Sequence, residues 1–179
     1  MPKGKTRDIL LYSDTARSAD ALYFGGVDVP DAFLAFSIRG RKYAIVSALE
    51  FGRVRRDSRF DAVLPLEAWS AKASSAFPRH KPGPALVLAA AARELRAGTL
   101  TVPEDFHAGL FTELRRLRVD VEVSDGMLFP EREVKSRREA EAIREGNRAS
   151  AAGIGAAERV LRESRPRKGR LYWRGAVLT

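Results

Sequence analysis

The first part of the chain alternates short apolar runs with polar or glycine-containing segments. Residues 9–12 and 21–24 are short apolar runs that predict strands, and a Ser/Asp/Thr/Ala segment typical of a turn separates them. Residues 32–38 and 41–47 are rich in aromatic and branched side chains and flank a turn at Gly40, which predicts a β-hairpin. Because apolar residues occur throughout both runs, we expect the hairpin to pack at the centre of the fold.

After residue 61 the pattern changes to strands alternating with helices. The predicted strands are residues 62–64, 85–88 and 99–102, and the predicted helices are residues 66–75 and 89–97. Between them, residues 77–84 combine prolines with basic side chains, which predicts a stiff basic loop. The order strand, helix, strand from residue 85 to residue 102 predicts a β-α-β unit.

Two capping patterns predict further helices. Thr101 and Glu104 have the spacing of a capping box, and apolar residues at helical spacing follow as far as residue 117. Residues 119–123 then alternate valine with polar side chains, which is typical of a half-exposed strand. Ser136 and Glu139 form a second capping box before the longest periodic segment of the chain.

The periodic segment after Ser136 predicts a helix to about Ser164 with one small and apolar side. It contains three glycines, each of which costs about 1 kcal/mol of helix propensity relative to alanine. We expect close packing against a neighbour to compensate, because glycine lets two backbones approach. Residues 166–169 end the helix, and residues 171–179 predict no further element.

Composition excludes several kinds of chemistry. The chain has no cysteine, so disulfides, thiolate zinc sites and cysteine nucleophiles are absent. It has only two histidines, His80 and His107, which argues against a catalytic metal centre within the chain. The longest apolar run, residues 85–92, is far shorter than the ~20 residues of a membrane helix. We therefore expect no membrane segment, and the short apolar stretch behind the basic N-terminus predicts a cytoplasmic protein rather than a secreted one.

The net charge of +9 is concentrated toward the C-terminus. Residues 131–170 hold 12 basic and 7 acidic side chains, an excess of 12 − 7 = 5. Such a basic stripe is the expected footprint of a nucleic-acid-binding protein. Because glutamates are interleaved with the arginines, a solvated helix face is the favoured interpretation, and nucleic-acid binding is kept only as a weaker alternative.

Residues 134–144 have the pattern Val-Lys-Ser-x-x-Glu-x-x-x-Ile-Arg. This pattern resembles the linker between the two domains of enzymes of a known superfamily, that of Xaa-Pro peptidases, prolidases and creatinases. Residues 21–27, the hairpin, and residues 43–47 followed by Glu50 and Arg53 are similar, in the same order, to the N-terminal domain of the superfamily. The resemblance covers essentially the whole chain.

The resemblance implies an α/β fold with a mixed β-sheet, flanking helices and a ribonuclease-H-like motif. Residues 1–133 would be the N-terminal domain, and residues 134–179 the linker helix and the truncated start of a missing C-terminal catalytic domain. In the superfamily that second, "pita-bread" domain holds two divalent ions, here expected to be Mn, Co or Zn, on two aspartates, one histidine and two glutamates. None of these positions occurs in this sequence, so we expect no catalytic residue, metal ligand or cofactor in the chain.

The function implied by the resemblance is that of a non-catalytic N-terminal domain of an Xaa-Pro metallopeptidase, of aminopeptidase P or prolidase type. Such a domain serves assembly into a dimer or higher homo-oligomer and access to the active site, while proline-containing peptides are the substrates of the whole hydrolase. The candidates for inter-subunit or substrate-gating contacts are Asp28, Pro30 and Asp31 in one turn, and Arg79 and His80 in the basic loop. All five are also ordinary residues of exposed turns.

Other functions receive less support from the sequence. A free-standing protein-interaction module of the same fold is the main alternative, since related domains of histone-chaperone subunits bind protein without cleaving it. The sequence does not favour a hydrolytic triad, because no G-x-S-x-G pattern is present. The residues that could be considered for one are Asp57, Ser58, Asp61 and His80. Whether the coding sequence continues past Thr179 into a metal-binding domain would distinguish the two main hypotheses.

Overall fold

The computed structural model describes residues 7–80 and 82–178. The chain divides between Phe129 and Pro130 into two compact units. The elements of the first unit are β1 (Leu10–Ser13), α1 (Ala19–Gly25), β2 (Phe33–Ile38), β3 (Arg41–Val46), α2 (Ala48–Asp57), β4 (Ala62–Pro65), α3 (Leu66–Ala76), α4 (Pro84–Leu95), β5 (Leu100–Val102), α5 (Ala108–Arg116) and β6 (Val121–Val123). Helices and strands are therefore interspersed through the first unit, as expected for an α/β fold.

The sheet of the first unit is mixed. β2 pairs antiparallel with both β1 and β3, and β4 lies parallel to β3. β5 and β6 form a parallel pair, which a parallel bridge between Ile9 and Thr101 joins to the free edge of β1. The strands thus follow the spatial order β6, β5, β1, β2, β3, β4, and the predicted mixed sheet with flanking helices is confirmed.

The predicted hairpin forms the centre of this sheet. Arg39 and Gly40, between β2 and β3, have φ values of 53° and 76°. Two successive positive φ values match the twist of the flanking strands, and glycine adopts this conformation without steric cost. All six residues of β2 are buried.

Two helical layers cover the two faces of the sheet, because successive side chains of a strand point to opposite faces. On one face Leu10, Phe36 and Ile45 pack with α3, α4 and α5. On the other face Leu11 and Ala44 pack with α1 and α2. The fold therefore has two apolar cores, one on each face of the sheet.

Two predicted strands are helices in the structure. Residues 21–24 belong to α1, where the Ser18 side chain accepts a hydrogen bond from the Ala21 amide (3.1 Å) and Gly26, with φ of 65°, ends the helix. Residues 85–88 belong to α4, which starts with Pro84 in its first turn and is buried from residue 85 to residue 92. A short apolar run buried all round does not by itself distinguish a strand from a helix. The predicted β-α-β unit at residues 85–102 is wrong for this reason.

Two further predictions around these elements need correction. Thr101 is not a helix cap: it lies in β5, and its hydroxyl donates a hydrogen bond to the Glu122 carboxylate (3.0 Å). The following helix, α5, starts only at Ala108. The helix α2 was not predicted, because only Glu50 and Val54 among its ten residues are buried.

The second unit consists of a short 3-10 helix (Pro130–Glu133), α6 (Arg137–Glu163) and the strands β7 (Arg165–Arg167), β8 (Arg170–Trp173) and β9 (Ala176–Val177). The predicted capping box is confirmed, because the Ser136 amide donates to the Glu139 carboxylate (2.8 Å) and the Glu139 amide to the Ser136 hydroxyl (3.3 Å). The expectation that no element follows α6 is wrong, because β7, β8 and β9 form a small antiparallel sheet. Thr179 lies outside the described residues.

Candidate functional site

An apolar cleft of about 420 Å³ opens at one edge of the main sheet. β1 and β3 are both antiparallel to β2, so their carboxyl ends lie beside the amino end of β2 at this edge. Its apolar lining includes Tyr12 from β1, Leu34 from β2, Ile45 from β3, Leu66 from α3 and Val87 from α4. The topology of the fold therefore creates the cleft from segments that are far apart in the sequence.

The polar groups of the cleft are acidic or neutral. Two carboxylates, from Asp31 and Glu50, line it together with the hydroxyls of Ser47 and Ser70. None of the described lining residues is basic. An apolar cavity with a few polar groups is the usual form of a small-ligand site, so this cleft is the first candidate for a functional surface in the first unit.

One carboxylate of the cleft is buried and paired. Glu50 has a relative exposure of 7%, and its carboxylate forms an ion pair with the Arg53 guanidinium one turn further along α2. The same guanidinium donates a hydrogen bond to the backbone oxygen of Asp28 (2.5 Å). Arg53 thus neutralises a buried charge and also fixes the loop at residues 26–31 to α2.

A second set of hydrogen bonds holds the same loop. The Thr15 hydroxyl donates to the Asp28 carboxylate (2.6 Å) and accepts from the Val29 amide (2.7 Å). The Thr15 amide also donates to the Val29 carbonyl (3.0 Å). Since Thr15 is buried, these bonds anchor the loop to the segment between β1 and α1.

The structure brings the two predicted loops to this cleft, although not every predicted residue lines it. Asp31 lines the cleft, while Asp28 and Pro30 are exposed in the same loop. The basic loop reaches the cleft through residues 82–84, whereas Arg79 and His80 are exposed and are not among the lining residues. The His80 ring packs edge-on against Phe77, 5.9 Å between centroids. Lys81 of this loop lies outside the described residues.

Sequence reasoning did not assign Glu50 and Arg53 to a site, although the resemblance drew attention to both. The signal that could have identified them is their spacing. An acidic and a basic residue three positions apart on a helix lie on the same face, and here they directly follow a buried strand. Tyr12 and Ser70 had no such local signal, because only the tertiary fold brings them to the cleft.

The residues weighed as a hydrolytic triad have separate partners. The Asp57 carboxylate accepts two hydrogen bonds from the Arg56 guanidinium, both 2.9 Å, and these bonds lower the pKa of Asp57. The Asp61 carboxylate accepts from the Lys42 amide (2.7 Å). Burial and the nearby Arg59 lower the pKa of the Lys42 ammonium, whereas Asp61 opposes this shift. The acids of the supposed triad therefore serve as partners of neighbouring groups.

Neither a metal cluster nor a membrane helix is found in residues 7–80 and 82–178. No three His, Asp or Glu side chains within these ranges lie close enough together to bind a metal ion. The described residues therefore do not fit the pair of divalent ions that the resemblance implies for the whole protein. None of the helices in these ranges has the apolar length that crossing a bilayer requires.

The first unit is thus an α/β domain with a mixed sheet, a helical layer on each face and a cleft at one sheet edge. Solved structures share this fold. The chain is similar to the X-Pro aminopeptidase from Thermotoga maritima MSB8 (TM-score 0.59, 15% identity, covering 75% of this chain and 35% of that one). It is also similar to the prolidase from Pyrococcus horikoshii OT3 (TM-score 0.62, 14% identity, covering 89% and 40%). A third similar structure is the Xaa-Pro dipeptidase from Bacillus anthracis (TM-score 0.56, 13% identity, covering 75% and 33%).

These likenesses confirm, at the level of the fold, the resemblance to Xaa-Pro aminopeptidases and prolidases that the sequence indicates. The sequence matches no protein-family model and no curated protein. At 13% to 15% identity the solved structures show a shared fold rather than a shared activity. The chain spans only 33% to 40% of the length of these three peptidases.

Proposed function

We propose that the chain is the non-catalytic N-terminal domain of an Xaa-Pro metallopeptidase of aminopeptidase P or prolidase type. The observation that carries this proposal is the difference in coverage. The fold likeness extends over 75% to 89% of this chain but over only 33% to 40% of the peptidases. The catalytic domain, its two divalent ions and the binding of proline-containing peptides then belong to another part of the protein. A ribonuclease-H-like motif in the first unit and a cytoplasmic location are parts of the same proposal.

The role proposed for the domain is assembly of a homo-oligomer and control of access to the active site. The loop at residues 26–31 suits such a role, because Asp28, Pro30 and Asp31 are exposed while Arg53 and Thr15 hold the backbone at Asp28 and Val29 in place. A loop held in this way can present side chains to a neighbouring subunit at little cost in conformational entropy. In this proposal residues 134–179 form the linker toward the catalytic domain.

The purified 179-residue chain is expected to show no hydrolysis of Xaa-Pro dipeptides or longer proline-containing peptides with added Mn²⁺, Co²⁺ or Zn²⁺. Its described residues provide no ligand set for the ions that would activate water. The control is the product of the complete coding sequence, assayed with the same metals, which is expected to hydrolyse these substrates. Metal-dependent turnover by the 179-residue chain itself would contradict the assignment of a non-catalytic role. A complete gene product that lacks a metal-binding domain and activity would favour the free-standing interaction module.

The helix α6 gives a further prediction, about association. None of its 27 residues is buried, and Ile143, Ile154 and Leu161 are 48%, 69% and 61% exposed. An exposed apolar stripe tends to find a partner. We expect sedimentation of the purified chain to show a dimer or larger species, and we expect Ile154→Glu to shift it toward the monomer. Leu49→Glu, at an 82% exposed position of α2, is the matched control. A strictly monomeric wild-type chain would count against this prediction.

A further inference from the structure

A second pocket of about 440 Å³ lies where the C-terminal ends of α4 and α5 meet the segments before β5 and β6. It shares no lining residue with the apolar cleft. Three arginines line it, Arg93 and Arg96 from the end of α4 and Arg118 after α5, together with Thr99 and Asp120. None of these residues belongs to the two loops proposed for assembly and access.

The pocket carries a positive charge. Arginine carries a positive charge, so three arginines and one aspartate give 3 − 1 = +2, which the negative dipole ends of α4 and α5, about −0.5 each, reduce to about +1. The Asp120 carboxylate is engaged by a hydrogen bond from the Thr99 hydroxyl. Within the described part of the chain, the side chains of Arg96 and Arg118 have neither an ion pair nor a hydrogen bond. Their guanidinium groups therefore keep their full capacity to donate hydrogen bonds to a ligand.

The arginines are not needed to complete the helix ends. The C-terminal carbonyls of α4 accept hydrogen bonds from the backbone, since the Arg96 amide donates to Ala92 and Arg93. At the end of α5 the Leu117 amide donates to Glu113 and Arg115 in the same way. A basic residue at a helix C-terminus gains some energy from the helix dipole, but lysine would gain as much, and the backbone capping works without either side chain.

Both unpaired arginines occupy an unfavourable backbone conformation. Arg96 has φ of 53° and Arg118 has φ of 60°. This left-handed conformation costs non-glycine residues about 1 kcal/mol or more, and helix ends normally use glycine or asparagine there. The same conformation occurs at Arg39, Lys168 and Arg174, which do not line this pocket. It is therefore the free guanidinium groups of Arg96 and Arg118 that point to a ligand.

We propose that this pocket binds a small anion that carries two or more phosphate groups. Guanidinium groups form paired hydrogen bonds with phosphate oxygens, and such charge-assisted bonds are about twice as strong as neutral ones. A pocket of about 440 Å³ accommodates an anion of this size beside Arg96 and Arg118, whereas the Arg93 guanidinium stacks on the Phe77 ring, 4.5 Å from its centroid. This site is independent of the proposed peptidase role, and either proposal can fail without the other.

The test uses inorganic pyrophosphate and the complete 179-residue chain. Calorimetric titration at constant ionic strength is expected to show binding to the wild type, and Arg96→Gly and Arg118→Gly are each expected to weaken it about tenfold. Because glycine suits a positive φ, both variants should fold and be at least as heat-stable as the wild type. Arg174→Gly is the matched control, since Arg174 has φ of 50° but does not line the pocket.

Two results would overturn the proposal. One is that pyrophosphate binds with no higher affinity than chloride at equal ionic strength. The other is an equal loss of affinity in Arg174→Gly, which would show a nonspecific effect of net charge. A short single-stranded oligonucleotide serves as a second probe for the source of the phosphates. Tighter binding of the oligonucleotide through Arg96 and Arg118 would identify nucleic acid, whereas preference for pyrophosphate would identify a small oligophosphate.

Discussion

Replacing Phe36 by alanine is expected to lower the free energy of unfolding by about 4 kcal/mol, because truncating a buried aromatic side chain loses its transfer free energy and leaves a cavity. Phe36 has a relative exposure of 0% and lies in the central strand β2. Its ring stacks on that of Tyr43, with 5.3 Å between the centroids and 10° between the planes. Urea denaturation followed by circular dichroism measures the change.

The control for this substitution is Leu49→Ala. Leu49 is a large apolar residue of the same unit but is 82% exposed, so its truncation is expected to change stability by no more than about 0.5 kcal/mol. If Phe36→Ala were as mild as Leu49→Ala, the pairing of Phe36 with Tyr43 in the sheet would be wrong. A one-residue shift in register would move Phe36 to the opposite face.

The parts of the fold that could be predicted are those with a strong local signal. The hairpin has two apolar runs and a glycine at the turn, and α6 has a complete capping box. Both signals act within a few residues, so other parts of the chain do not need to be known. The mixed sheet, by contrast, was predicted through the resemblance, because the pairing of β1 with β5 joins residues about 90 positions apart.

Two of the incorrect predictions share one physical cause. Residues 21–24 and 85–88 are apolar runs of four, which fit a strand and a buried helix turn equally well. What decides between them is the neighbouring residue: Ser18 caps α1, and Pro84 occupies the first turn of α4. At Thr101 the error is of the opposite kind, because a residue type that suits a helix cap lies in a strand. Its hydroxyl donates a hydrogen bond to Glu122 on the neighbouring strand instead.

The candidate cleft was only partly predictable for a related reason. The turn at residues 26–31 and the basic loop are candidates only through the resemblance, by their position in the chain, and both reach the cleft. Its lining includes Tyr12, Ile45 and Val87, which no local pattern connects. The shared direction of β1 and β3, set by their common partner β2, places Tyr12 and Ile45 together, and the packing of α4 on the same face of the sheet adds Val87.

Arg53→Ala is expected to destabilise the chain by about 3 kcal/mol, because it leaves the Glu50 carboxylate buried without its partner. The Glu50 side chain is 9% exposed, whereas that of Arg53 is 37% exposed. The expected loss of stability therefore lies at the lower end of the range for buried ion pairs. The substitution also removes the hydrogen bond to the Asp28 carbonyl. Urea denaturation measures the stability, and hydrogen exchange at residues 26–31 reports on the loop.

Two further variants show whether the buried charge is the cause. Arg56→Ala breaks an exposed ion pair with Asp57 on the same helix α2, and it is expected to lower stability much less than Arg53→Ala. In the Arg53→Ala background, Glu50→Gln removes the unpaired charge and should recover a large part of the lost stability, since a neutral amide is cheaper to bury than a carboxylate. If Glu50→Gln gave no recovery, the loss would have to arise from the Asp28 contact, and fast exchange at residues 26–31 with an otherwise intact core would be the accompanying result.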